Sequence, residues 1–131
     1  MRVLVIIVLT LLLGTVAFRS SAQQTSAPPA NDDAVIEQLR IAGSNLSKPH
    51  PIDFYIYVPT QESAERIAGT LSNQGFTVKV RHAATGSDWL ALATKEVVPT
   101  SSALAKIRHD LTALALSEHG DYDGWEAPIV K

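Results

Sequence analysis

The densest group of ligand-type side chains lies near the C-terminal end, in Asp121-Tyr122-Asp123-Gly124-Trp125-Glu126. Its D-x-D-G spacing occurs inside calcium loops, where alternate carboxylates converge on the ion and a glycine allows the sharp turn. The rest of the loop is missing. With Gly124 in the sixth position, the first is His119 and the twelfth Val130, where the ion needs an aspartate and a bidentate glutamate. The cluster is therefore read as a turn or bulge at Gly124 before or within a last strand. Asp123 bonds nearby amides, and Tyr122 and Trp125 pack at a sheet edge or touch a partner.

The other chemistry-bearing residues are dispersed. His50, His82, His109 and His119 include no i, i+4 pair that would set two ligands on one helix face. His109 and Asp110 are neighbours, but consecutive helical residues point about 100° apart, so one does not orient the other. There is no G-x-S-x-G elbow, no glycine-rich phosphate loop and no H-E-x-x-H. A catalytic metal, a cofactor and enzymatic turnover are not expected.

These residues are positioned by a simple order of elements. Ile52, Phe54, Ile56 and Val58 alternate with Asp53, Tyr55 and Tyr57, which predicts a strand with one apolar and one aromatic-acidic face. Pro59 ends it and Thr60 caps a helix whose stripe is Ala64, Ile67, Ala68 and Leu71, closed by Gly75. Phe76, Val78 and Val80 alternate with Thr77, Lys79 and Arg81 in a second strand with one basic face. Thr85-Gly86-Ser87 then turns the chain into a third strand, Trp89 to Lys95. Pro99 and Thr100 open the longest helix, with Leu104, Ile107, Leu111 and Leu114 as its core stripe, and Gly120 ends it. Tyr122 to Val130 form the last strand.

Right-handed crossovers put both helices on one side of so small a sheet. The expected fold is an α+β, ferredoxin-like two-layer sandwich of βαββαβ order. An accessory N-terminal helix precedes it, with Val35, Ile36, Leu39 and Ala42 at helical spacing and Gly43 as its stop. The second face of the sheet is expected to be open or covered only by that helix, and to carry Asp53, Tyr55, Tyr57, Lys79, Arg81 and Trp89.

An apolar run from Val3 to Phe18, behind Arg2 and ahead of Ser20-Ser21-Ala22, has the layout of an export signal cleaved after Ala22. The run is short beside the about 20 apolar residues that span a bilayer, and a retained single-span anchor through residues 3–18 is the alternative. Either way residues 1–22 are a leader, and residues 23–30, with their paired glutamines and prolines, are a linker. The domain follows at residues 31–131. With 131 residues and no cysteine, the chain builds one core without disulfides or thiolate zinc. Its net charge is −2, and without the leader nine bases face thirteen acids, a net of −4. That balance does not suit a phosphate-gripping protein. The layer architecture does resemble RNA-recognition modules that stack bases on strand aromatics, so single-stranded nucleic acid on Tyr55 and Tyr57 is an alternative. The K/R-G-F/Y-G/A-F-V-x-F/Y pattern of those modules is missing from Trp89 to Lys95.

Several passages together resemble one family. They are Gly43 to Pro51 with Leu46-Ser47-Lys48-Pro49, the aromatic strand Phe54 to Pro59, Trp89-Leu90 running into Ala93-Thr94-Lys95, and above all Tyr122-Asp123-Gly124-Trp125 after a long helix ending in glycine. Over residues 36–130 the chain resembles the regulator of ribonuclease E activity B (RraB) family. The resemblance implies a ferredoxin-like fold without catalytic residues or cofactor, and a function of binding ribonuclease E and restraining its cleavage of RNA. An exported domain is separated from that cytoplasmic enzyme, so the expectation is a protein partner, and ribonuclease E only if the domain faces the cytoplasm. Tyr122, Asp123, Trp125, Tyr55, Tyr57 and Trp89 are the candidate contact residues.

Overall fold

A computed structural model describes residues 32–131. The leader and linker expected over residues 1–30 lie outside the described residues. The elements follow in the order α1 (Asp32–Ile41), β1 (His50–Val58), α2 (Gln61–Ser72), β2 (Thr77–His82), β3 (Trp89–Val97), α3 (Ser101–Ser117) and β4 (Asp121–Glu126). The four strands form one antiparallel sheet in the order β2-β3-β1-β4, the ferredoxin-like arrangement. The apolar alternation in β1 decides the layering. Ile52, Phe54, Ile56 and Val58 are fully buried, and they share a core with Ala91 and Ala93 of β3, Ala64, Ile67 and Leu71 of α2, and Leu104, Leu111 and Ala115 of α3. Burying each large aliphatic side chain contributes about 1.5–3 kcal/mol, which holds both helices against this face.

The helix starts are side-chain capped. Thr60 accepts from the Ser63 amide and Thr100 from the Ala103 amide, both at 3.1 Å, each cap being worth about 1 kcal/mol. The end of α3 differs from the sequence expectation. The left-handed residue is His119 (φ 61°) rather than Gly120. The Gly120 amide bonds the Ala115 carbonyl at 2.8 Å and the His119 amide bonds that of Leu116 at 3.0 Å, the paired bonds of a Schellman end. Gly120 is needed for another reason. A Cβ there would lie 2.2 Å from the Tyr57 carbonyl oxygen and 2.6 Å from Val58 Cγ1, so the chain passes against β1 with no room for a side chain.

Of the two arrangements expected for the second face of the sheet, the one found is that in which the accessory helix does not cover it. Its Val35 and Leu39 join the same core as α2 and α3, and α1 packs beside α3, because its apolar stripe continues the helix layer toward Trp125 and Ala127. Two further expectations, the extent of the last strand and the facing of Trp89, are corrected. The last strand stops at Glu126 instead of Val130. Pro128 has no amide to give a ladder, and Asn45 takes the Val130 carbonyl instead, at 2.6 Å. Trp89 faces the helix side, not the side of Tyr55 and Tyr57. It stands opposite Val58 in register and is tilted onto the His82 ring at 3.8 Å between centroids.

Candidate functional site

The C-terminal motif is split by its own geometry. Trp125 pairs with Phe54 and Tyr122 with Ile56, so both aromatics point into the helix-covered face, while the register shifts between Phe54 and Ile56. Gly124, at φ 96°, takes up the extra residue of this bulge, a conformation costly to any residue with a Cβ. The Trp125 side chain is 2% exposed, and its Nε1 donates to Asp32 Oδ1 at 3.0 Å. The other oxygen of Asp32 is paired with the Arg108 guanidinium. One carboxylate at the first turn of α1 therefore joins α1, α3 and β4. It is favourably placed for the helix dipole as well. Nothing in the sequence marks this joint, because its members are separated by most of the domain.

Tyr122 is half-buried beside the joint, and its hydroxyl has no hydrogen-bond partner among the described residues. Burial, and then the Asp32 carboxylate, push its phenol well above the ordinary value of 10, with Arg108 opposing. Tyr55, on the opposite face, is pushed the same way by burial and by its bond to Glu126 Oε2 at 2.6 Å, where the phenol donates. Both folded phenols hold their protons above the pH at which an unfolded tyrosine loses its own. Stability is therefore fully present below pH 10 and falls as the pH rises beyond it. Denaturant titrations at pH 9 and pH 11 are expected to show this loss, and a Tyr55→Phe, Tyr122→Phe double variant is expected to flatten it. An equal loss in the double variant would contradict these environments.

A second buried site was not anticipated. His50, the first residue of β1, is fully buried, and the Lys48 carbonyl 2.8 Å from Nδ1 fixes that nitrogen as the protonated one. Its Nε2 lies 2.6 Å from Ser44 Oγ, the spacing of a nucleophile and its base. Here the pair is spent on structure. Ser44 is itself buried and its Oγ accepts from the Val130 amide at 2.8 Å, while Lys48 Nζ reaches the Lys131 carbonyl at 2.8 Å. Ser44→Ala would leave the His50 ring nitrogen and the Val130 amide unpaired, at about 1–3 kcal/mol. A urea midpoint unchanged from wild type, with residues 127–131 still protected from amide exchange, would rule the latch out.

Tyr55 and Tyr57 lie on the face that no described helix covers. The pairing sets Glu126, Asp53, Thr94 and Thr77 in one row, Tyr55, Leu92 and Lys79 in the next, and Asp121, Tyr57, Leu90 and Arg81 in a third. Thr94 Oγ1 donates to Asp53 Oδ1 at 2.6 Å. Charge is divided across the face: Asp53, Glu126 and Asp121 lie on β1 and β4, Lys79 and Arg81 on β2. Tyr57 is only 8% exposed and Tyr55 is tied to a carboxylate, so these rings make a poor stacking platform for bases, and the acids beside them repel phosphate. Of the six candidates, Tyr55 and Tyr57 share this face with Asp121 and Glu126. Tyr122, Trp125 and Trp89 point to the other, and Asp123 lies half-buried in the bulge.

Among the described residues no three or more His, Cys, Asp or Glu side chains group as metal ligands, and no helix is long and apolar enough to cross a membrane. Layer order, register and the single helix-covered face define the molecule as a small ferredoxin-like α+β domain. Within that class it belongs to the RraB family: the family model described as regulator of ribonuclease activity B matches residues 30–127. No curated protein matches the chain.

Proposed function

We propose that this chain is a non-enzymatic regulator that works by binding another protein, and that residues 1–22 export it or hold it at a membrane. The family match over residues 30–127 carries the regulatory part. The burial of the Ser44–His50 pair within the fold, with its hydroxyl engaged by the chain's own backbone, supports a binding role over a catalytic one. The leader's composition supports export, with the partner then an envelope or secreted protein.

A second reading is favoured by the family's description. In it the domain is anchored through residues 3–18, faces the cytoplasm and restrains ribonuclease E. Arg2 and Arg19 stand at the two ends of the apolar run and give little charge bias to orient an anchor. Intact mass of the protein from its native host separates the cases: a soluble product beginning at Gln23 eliminates the anchor. If the leader is retained, protease accessibility in spheroplasts reports the side. Degradation from outside supports the outward-facing regulator, and protection supports the cytoplasmic one.

A further inference from the structure

The sheet has two edges, and they are not alike. Strand β4 is interrupted by the bulge at Gly124, and the tail after it is pinned to Ser44 and Asn45. Strand β2 pairs with β3 in unbroken register over all of Thr77–His82, with no bulge and no proline. The Ala83 amide bonds the Asp88 carbonyl at 2.9 Å, the pair next after His82 and Trp89. Antiparallel partners alternate between bonded and non-bonded pairs, so Thr77, Lys79 and Arg81 spend their backbone groups on β3. Val78, Val80 and His82 therefore turn their N–H and C=O groups outward. Among the described residues no hydrogen bond reaches those outward groups.

We infer that the β2 edge is a docking site for an extended, acidic segment of a partner protein, which adds a fifth strand to the sheet. Backbone bonds to Val78, Val80 and His82 supply the pairing. Side chains then give the selectivity. Those of the new strand on the uncovered face meet Lys79 and Arg81, both exposed, and a carboxylate at alternate positions matches them. Those on the helix face meet Val78 and Val80, both half-buried, and suit small apolar residues. A second copy of this chain is a worse occupant, since antiparallel pairing of β2 with itself sets Lys79 and Arg81 against each other. The position also suits a tethered domain: α1, which continues from the leader and linker, lies on the β4 side, so the β2 edge is about 14 Å across the sheet from it.

This inference rests on the protein-binding reading and is tested separately from it. The probe is a fluorescein-labelled synthetic peptide of alternating glutamate and valine, titrated into the full-length chain, with a lysine–valine peptide as its counterpart. Saturable binding of the acidic peptide is expected, with slowed amide exchange at Val78, Val80 and His82 and weakening as salt rises. Lys79→Glu with Arg81→Glu is expected to weaken binding at least tenfold. Val80→Pro removes an outward amide without breaking a bond to β3, and is expected to abolish binding. Melting by circular dichroism checks that each variant is folded, and the charge-reversal pair, at exposed positions, serves if the proline variant is not. Equal binding of the two peptides, or protection elsewhere than on β2, would overturn the proposal. Cross-linked capture of a protein partner that survives both variants would also overturn it, while leaving the regulatory reading intact. Peptide binding on β2 with no partner captured from cells would have the opposite meaning.

Discussion

Trp125→Ala is expected to cost about 3–5 kcal/mol and to lower the melting temperature by roughly 20 °C. The side chain is 2% exposed in the core opposite Phe54, and large-to-small changes at such positions lose both transfer free energy and the packing around the cavity left behind. It also removes the Nε1 donor from Asp32, whose carboxylate then depends on Arg108 alone in a site where its side chain is 6% exposed. A domain of this size has about 5–15 kcal/mol in total, with each kcal/mol worth about 4–8 °C. Trp125→Phe separates the two losses. It keeps most of the ring packing and removes only the hydrogen bond, at about 1–2 kcal/mol. Partner capture measured below the melting point of each variant is expected to persist, because Trp125 acts through the fold. Loss of capture by a folded Trp125→Phe protein would give the indole a direct contact role instead.

Gly120→Ala should be nearly as damaging, and for the opposite reason. The added methyl would meet the Tyr57 carbonyl oxygen at 2.2 Å and Val58 Cγ1 at 2.6 Å. The oxygen is backbone in a strand held on both sides by β3 and β4, so relief requires moving β4 or unwinding the Schellman end of α3. Overpacking of this kind costs about 1–3 kcal/mol and more where the neighbour is rigid. A control lies in α2. Gly69 is helical, and nothing lies within 4 Å of the point a Cβ would occupy, so Gly69→Ala is expected to stabilise by about 0.5–1 kcal/mol. Urea denaturation of the two variants side by side is expected to give shifts of opposite sign. Shifts of the same sign would mean that the approach of Gly120 to β1 is not as described.

How much of this is readable from the sequence depends on how local the cause is. The alternation of β1 from Ile52 to Val58 fixes which face meets the helices, and Ile52, Phe54, Ile56 and Val58 are buried as it names them, although Tyr57 on the other face is buried as well. The starts of α2 and α3 at Thr60 and Thr100 are equally local, since a cap is a bond to an amide three residues on. Trp89 departs from expectation by the smallest possible amount. Register alone decides its face, and the turn after His82 sets that register. The placement of α1 needs long-range information: its stripe says that it packs but not on which layer, and Trp125 and Arg108 settle that from far along the chain. His50 is hidden for the same reason. Its partners are a serine after α1 and, through it, the amide of Val130, a convergence that no spacing announces. The candidate contact surface is legible only in part, because alternation predicts that Asp53, Tyr55, Lys79 and Arg81 share a face but says nothing of which sheet edge is left regular.

The most direct test of the regulatory account is capture by the full-length chain in its native host, with cross-linking before lysis and the envelope and cytosol analysed apart. The account predicts one protein partner in a fixed ratio to the chain, recovered with the envelope. Recovery of ribonuclease E from the cytosolic side would replace the export reading with the anchored one. The chain recovered with nucleic acid in place of protein, or alone from both fractions, would contradict the claim that it acts by binding a protein.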